Sequence, residues 1–158
     1  MPEIVKFMPR ADLLSFEEIH RLVKIVADCG VDRIRITGGE PLVRAEIWKL
    51  VEMIRKVESI KDIAITTNGL LLAEQANQLK SAGLDRLNIS LDTIDPMMFE
   101  KITRRKGLEK ILAGIDAAKQ AGFDKIRINA VSIKGLTESE IVPLAKFSRE
   151  QNLSLIHI

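Results

Sequence analysis

The chain has 158 residues, with 24 Lys plus Arg against 22 Asp plus Glu and 46% apolar residues, which suits one globular domain with a sizeable core. The balanced charge leaves no electrostatic footprint for nucleic acid, the 4% aromatic content with no Tyr offers no base-stacking platform, and no stretch approaches the ~20 apolar residues of a membrane-spanning helix. A single cysteine, Cys29, excludes a disulfide framework, a Cys-based zinc site and a cluster held by several thiolates of this chain. The first residues, MPEIVKFMPR, hold no apolar signal core, so a cytoplasmic location is expected.

Ser15 is followed three residues later by Glu18, the spacing of a capping box at a helix start. Phe16, Ile19, Leu22, Val23 and Val26 then recur at helical spacing, His20 falls on the polar side, and Gly30 marks the end. Cys29, in the last turn, reads as a small buried apolar residue. A strand is expected over 33–37 (RIRIT), then a helix over 44–57 with Ile47, Trp48, Val51 and Ile54 inward. A second strand over 62–67 (DIAITT) leads into Asn68-Gly69, and a helix over 70–82 stops near Gly83. The third strand covers 86–91 (RLNISL). Asp95-Pro96 joins an N-cap to proline at the first helical position and opens a short helix, followed by a longer one over 107–120. The fourth strand covers 125–131 (KIRINAV), Thr137 and Glu140 have capping-box spacing before a helix reaching about 151, and NLSLIHI reads as a further strand.

Each helix–strand unit has roughly the ~30-residue length of a parallel crossover, which predicts an α/β layer system: an open doubly wound sheet or part of a barrel. Strands covered by helices on both faces read as continuous apolar runs, and these do not. Ile34 and Ile36, Ile63 and Ile65, Leu87, Ile89 and Leu91, and Ile126, Ile128 and Ala130 alternate with polar residues. Period-2 alternation gathers Arg35, Thr37, Thr66, Asn68, Asn88, Ser90, Asp92, Arg127 and Asn129 on the other face. Unsatisfied polar groups cost roughly 1–3 kcal/mol each when buried, so this face should line a wet cavity for a polar ligand, with ligand groups at the C-terminal strand ends. The alternative is an antiparallel or edge sheet with one solvated face. Arg35 and Arg127 suggest an anionic ligand such as a phosphate; they can equally be interior arginines answered by Asp62 and Asp92.

After the first strand comes Thr37-Gly38-Gly39-Glu40-Pro41. Two glycines allow close backbone approach to a ligand, and a carboxylate with exposed carbonyls suits an ammonium group. The pattern is neither G-x-G-x-x-G nor Walker A. Alone, a Gly-Gly turn is also ordinary punctuation.

TGGEPLVR (37–44), ITTNGLLL (65–72), AGLDRLNISLDTIDP (82–96) and RINAVSIKG (127–135) together resemble the radical S-adenosylmethionine (SAM) enzymes, and among them the GTP 3′,8-cyclase family of molybdenum-cofactor biosynthesis. KFMPRADLLSFEEI (6–19) is similar to the segment after that family's cluster loop. The resemblance implies an incomplete, TIM-like (β/α) barrel of parallel strands, here a single truncated radical SAM domain over 1–158. It implies that Gly38, Gly39, Glu40 and Pro41 hold the methionyl amino group of SAM, with Ser90 a second SAM contact. Arg35 and Thr66 match GTP-contacting positions, and Arg127 stands where the family usually has Lys in that role. In the family, SAM on a 4Fe–4S cluster yields a 5′-deoxyadenosyl radical that abstracts the C3′ hydrogen of GTP, and C3′ is then joined to C8 of guanine. GTP as small-molecule substrate and a homodimer are further implications; nucleic acid and membrane partners are not expected.

The family's Cys-x3-Cys-x2-Cys loop and its second set of cluster cysteines find no match in these residues. Cys29 cannot replace them, so the chain as written is expected not to cleave SAM and to provide no metal ligands. His157, beside a C-terminus unlike the family's, is not read as catalytic. Two other classes stay open. One is a non-catalytic module that keeps a GTP or SAM pocket; the other is a barrel enzyme using acid–base chemistry through Asp92. Without the family's first strand the sheet would have an exposed, aggregation-prone edge, so poor solubility and a low-melting or molten state are expected.

Overall fold

The computed structural model describes residues 13–157 and arranges them as alternating helices and strands. In chain order these are α1 (Phe16–Asp28), β1 (Arg33–Ile36), α2 (Ile47–Arg55), β2 (Asp62–Thr67), α3 (Leu72–Ser81), β3 (Arg86–Ser90), α4 (Pro96–Thr103), α5 (Leu108–Gln120), β4 (Ile126–Ala130), α6 (Ile141–Glu150) and β5 (Ser154–His157). All neighbouring strands are parallel, in the order β1-β2-β3-β4-β5. A doubly wound sheet reverses its order where the chain crosses to the second face. This one never reverses, and right-handed crossovers therefore place every helix on the same side. The antiparallel alternative is excluded, and among the described residues the sheet keeps one face free of helices, as in a barrel.

Local chemistry accounts for most element boundaries. The Ser15 hydroxyl accepts from the Glu18 amide at 3.1 Å while the Glu18 carboxylate accepts from the Ser15 amide at 2.7 Å, completing the expected capping box. Asp95 Oδ1 accepts from the Met98 amide at 2.7 Å and caps α4. Thr137 and Glu140 do not form the expected box. The Thr137 hydroxyl instead accepts from the Ile133 amide at 2.7 Å, Glu140 accepts from the Thr93 hydroxyl, and a 3-10 turn (Glu138–Glu140) precedes α6 without a side-chain cap.

The core lies between sheet and helices. Ile63, Ile65, Leu87, Ile89, Ile126 and Ile128 are buried against Leu50, Val51 and Ile54 of α2, Leu72 and Leu79 of α3, and Ile111 and Ile115 of α5. Gly114 lets α5 approach the β2–α3 turn: a Cβ there would stand 3.0 Å from the Gly69 carbonyl oxygen and 3.1 Å from Leu72 Cβ. The expected face of α1 needs correction, because Val23 and Ala27 are buried while Leu22 and Val26 are 49% and 38% exposed. Among the described elements α1 packs mainly against α2, which leaves its Leu22–Val26 side uncovered. Cys29, the C-cap of α1, is exposed rather than buried, since it continues the Leu22–Val26 stripe. No described helix is long and apolar enough to cross a membrane.

Arg55 fastens the N-terminal end of the sheet. Its Nε and Nη2 donate to the Gly83 carbonyl at 3.1 and 2.7 Å, Nη1 donates to the Ile60 carbonyl at 3.4 Å, and Nη2 pairs with Asp85, whose Oδ2 also accepts from the Ile63 amide at 2.7 Å. The pair is about one-third exposed, which screens it, but three backbone groups depend on it. Arg55→Ala is expected to lower stability in urea unfolding by about 2–3 kcal/mol. Arg55→Lys should recover less than half, since a point charge cannot serve a fork of acceptors. A loss below about 0.5 kcal/mol, the scale of an ordinary surface change, would contradict this role.

Candidate functional site

Strand register sorts the polar residues into rows. Thr66, Asn88, Arg127 and Ser154 stand opposite one another on β2 to β5. Ser90, Asn129 and Ile156 form the next row toward the C-terminal ends, and Arg35, Ala64 and Arg86 form the row beneath. With ~4.8 Å between strands, Thr66 and Arg127 are about 10 Å apart, and Arg35 and Arg127 are three strand spacings apart. The small Ala64 stands between Arg35 and Arg86 and is itself buried, at 1% exposure. The expected polar face therefore exists: Thr66, Arg127 and Asn129 are half-buried, Arg35 and Ser90 are exposed, and Asn88 is only 4% exposed.

Asp62 does not answer either arginine of the ligand reading. It pairs with Arg86, on the same face. Asp92 does not answer them either, because its Oδ1 accepts from the Val131 amide at 2.8 Å. Among the described residues neither Arg35 nor Arg127 has an ion-pair partner, and Arg127 Nε is buried without a hydrogen bond. Arg127 also lines a groove of about 440 Å³ together with Arg86, Asn88, Lys125, Asn152 and Ser154. That volume is ample for a small polar ligand. The groove opens over the N-terminal halves of β3 to β5, not at the C-terminal strand ends where ligand groups were expected. At those ends the turn after β1 is exposed and, among the described residues, unwalled.

That turn has two different glycines. Gly38 adopts φ +156°, which L side chains rarely take; Gly39 has negative φ, and a Cβ built on it meets nothing within 4 Å. Neither the conformation nor the packing of the described residues requires glycine at 39, so the open space above it is free for a ligand. The Glu40 carboxylate is committed inside the chain. Oε1 accepts from the Leu42 amide at 3.0 Å and the Thr67 hydroxyl at 2.7 Å, and Oε2 accepts from the Asn68 amide at 2.7 Å. Pro41 is buried and starts a 3-10 turn (Pro41–Val43) that ends at Arg44; Arg44 stacks over Phe16 and donates to the Leu14 carbonyl at 2.6 Å.

Sequence reading missed four residues here. Arg86, Lys125 and Ser154 share the strand parity of Asn88, Arg127 and Asn129, and that parity could have found them. Thr67 has the parity of the helix-facing isoleucines, is 2% exposed, and no polar-face pattern could select it.

The 4Fe–4S cluster that the resemblance implies needs several thiolates. Cys29 lies before β1, at the opposite end of that strand from Gly38 and Gly39, and no three His, Cys, Asp or Glu side chains among the described residues come together to hold a metal ion. The residues present do not fit a cluster, and no reaction step is assigned to one. The segment 1–12, which carries much of the likeness to the stretch after the cluster loop, lies outside the described residues.

A family model described as the radical SAM superfamily matches residues 2–148. GTP 3′,8-cyclase of Rhodopirellula baltica is 51% identical over 157 residues, 98% of this chain and 44% of that protein. GTP 3′,8-cyclase 1 of Pseudomonas aeruginosa is 44% identical over 158 residues, 100% of this chain and 48% of that protein. The chain thus spans less than half the length of these curated relatives. Among solved structures, methylornithine synthase (PylB) superposes with a TM-score of 0.69 at 20% identity, covering 91% of this chain and 44% of that one. The FeFe-hydrogenase maturase HydG from Carboxydothermus hydrogenoformans gives 0.68 at 19%, covering 91% and 37%. At such identities these two likenesses speak for the fold alone.

Proposed function

We propose, because the chain belongs to the radical SAM superfamily, that it carries the SAM- and GTP-binding face of a GTP 3′,8-cyclase. The observation that carries this reading is the polar row Thr66–Asn88–Arg127, with an arginine that finds no partner inside the described chain. The identity of 51% to a protein of that name directs the choice of ligand. In the proposal, Arg35 and Arg127 take phosphate oxygens of GTP, for which a planar guanidinium is well shaped, and Thr66 offers its hydroxyl between them. The carbonyls of the Gly38–Gly39 turn take the methionyl ammonium of SAM, Pro41 sets the exit of the turn, and Ser90 supplies a second contact. A cytoplasmic location and a homodimer belong to the same proposal, on the family resemblance alone.

Calorimetric titration of the purified chain with GTP and with SAM tests it. Saturable heat with GTP, weakened by added salt as a charge contact should be, is the expected result. Absence of heat with both ligands would overturn the reading. One observation favours a role in this chain limited to binding, namely the place of Cys29. Incubation of the chain with SAM and a strong reductant is accordingly expected to release no 5′-deoxyadenosine; release of that product would exclude the binding-only role.

A further inference from the structure

We propose that Glu40 and Thr67 are positioning residues: they lock the turn after β1 to the turn after β2, so that backbone carbonyls rather than the Glu40 carboxylate meet the ammonium group of SAM. This rests on the reading that the Gly38–Gly39 turn holds SAM. A carboxylate offers about four lone-pair directions. Three at Glu40 are taken by the Leu42 amide, the Thr67 hydroxyl and the Asn68 amide, at 2.7–3.0 Å. Two of these donors belong to the neighbouring strand end, 27 and 28 residues away in sequence. Thr67 relays the tie, since its hydroxyl donates to Glu40 and accepts from the Gly69 amide at 3.0 Å. Thr67 is buried, which shields that relay from water.

The same carboxylate oxygen that caps the 3-10 turn thus also accepts from β2 and joins the two turns directly. With the carboxylate turned inward to these donors, the exposed groups of the turn are the backbone of Gly38 and Gly39. An ammonium ion seeks acceptors, and among the described residues the Gly38 and Gly39 carbonyls accept no backbone hydrogen bond. Glu40 would then act at a distance, by fixing where those carbonyls stand.

Amide hydrogen exchange and SAM titration on the whole chain test the idea, with Thr67→Val, Thr67→Ser and Glu40→Gln. Thr67→Val and Glu40→Gln are expected to speed exchange at Leu42 and Asn68 at least about tenfold while the β3 and β4 amides keep their rates, which excludes general unfolding. SAM affinity is expected to fall about fivefold or more in Thr67→Val and to return to within about twofold in Thr67→Ser, a rescue that loss of packing alone does not give. Wild-type exchange rates in Thr67→Val would overturn the proposal. So would an unchanged SAM affinity in Thr67→Val alongside a lost one in Glu40→Gln, because that pattern marks Glu40 as a direct ligand. A wild-type chain that takes up no SAM overturns the ligand reading itself and its ammonium contact, and the exchange rates then still decide whether the two turns are locked.

Discussion

Replacing Arg127 with methionine is expected to lower GTP affinity about thirtyfold or more while the melting temperature stays the same or rises. The two halves of that result have separate causes. Arg127 sits mid-row on β4 with Nε buried and unpartnered among the described residues. A buried donor without an acceptor costs roughly 1–3 kcal/mol, which the folded chain carries without return. Methionine keeps most of the apolar stem and removes that burden. Hydrogen bonds from a guanidinium to phosphate contribute about 1.5–3 kcal/mol each, and every 1.4 kcal/mol is tenfold in affinity. Arg127→Lys should fall between, because it keeps the charge and loses the fork. Calorimetry with GTP beside a thermal melt reads both halves. Wild-type GTP affinity in the methionine variant would remove Arg127 from the site, and a lower melting temperature would mean that its side chain has a structural partner after all.

Gly39→Val is expected to abolish detectable SAM binding, with Gly39→Ala weakening it about tenfold, and neither change should lower the melting temperature. Gly39 has negative φ and, among the described residues, nothing within 4 Å of a Cβ, so the described fold has no use for glycine there. Alanine at such a site usually stabilises by about 0.4–1 kcal/mol, by restricting the unfolded chain. The neighbouring Gly38 is the internal contrast: its φ of +156° makes any substitution strain the turn. Loss of SAM binding in Gly38→Ala with a lowered melt, against loss in Gly39→Ala with an unchanged melt, would separate backbone geometry from ligand contact. A Gly39→Val chain that still binds SAM would place the ligand elsewhere.

Much of this architecture can be read from residue order because it rests on period-2 patterning. Ile63, Ile65, Leu87 and Ile89 turn to the helices and Thr66, Asn88 and Arg127 turn away, as alternation predicts. What cannot be read depends on partners distant in sequence. Thr137 and Glu140 have the spacing of a local cap, yet each hydrogen-bonds elsewhere, to Ile133 and Thr93, and tertiary geometry wins over the local motif. Asp62 has several arginines in reach, and only the placement of β3 selects Arg86. Leu22 and Val26 have the right spacing for a buried stripe, but α1 packs mainly against α2 and leaves them uncovered. Thr67 hides behind its parity: it points to the helix side, and only the reach of Glu40 across 27 residues reveals it. The Gly38–Gly39 turn stands out in sequence, but the division of labour between its two glycines is visible only in backbone angles and empty space.

The most direct test is the NMR signal of the arginine Nε–H groups as GTP is added to the chain. Arg127 and Arg35, which lack ion-pair partners among the described residues, should shift and sharpen as phosphate oxygens accept from them. Arg55, held at the far end by the Gly83 carbonyl and Asp85, should not move. Saturating GTP that leaves Arg35 and Arg127 unchanged, or that perturbs only the exposed Arg104 and Arg105, would contradict the assignment of the polar face as the nucleotide site.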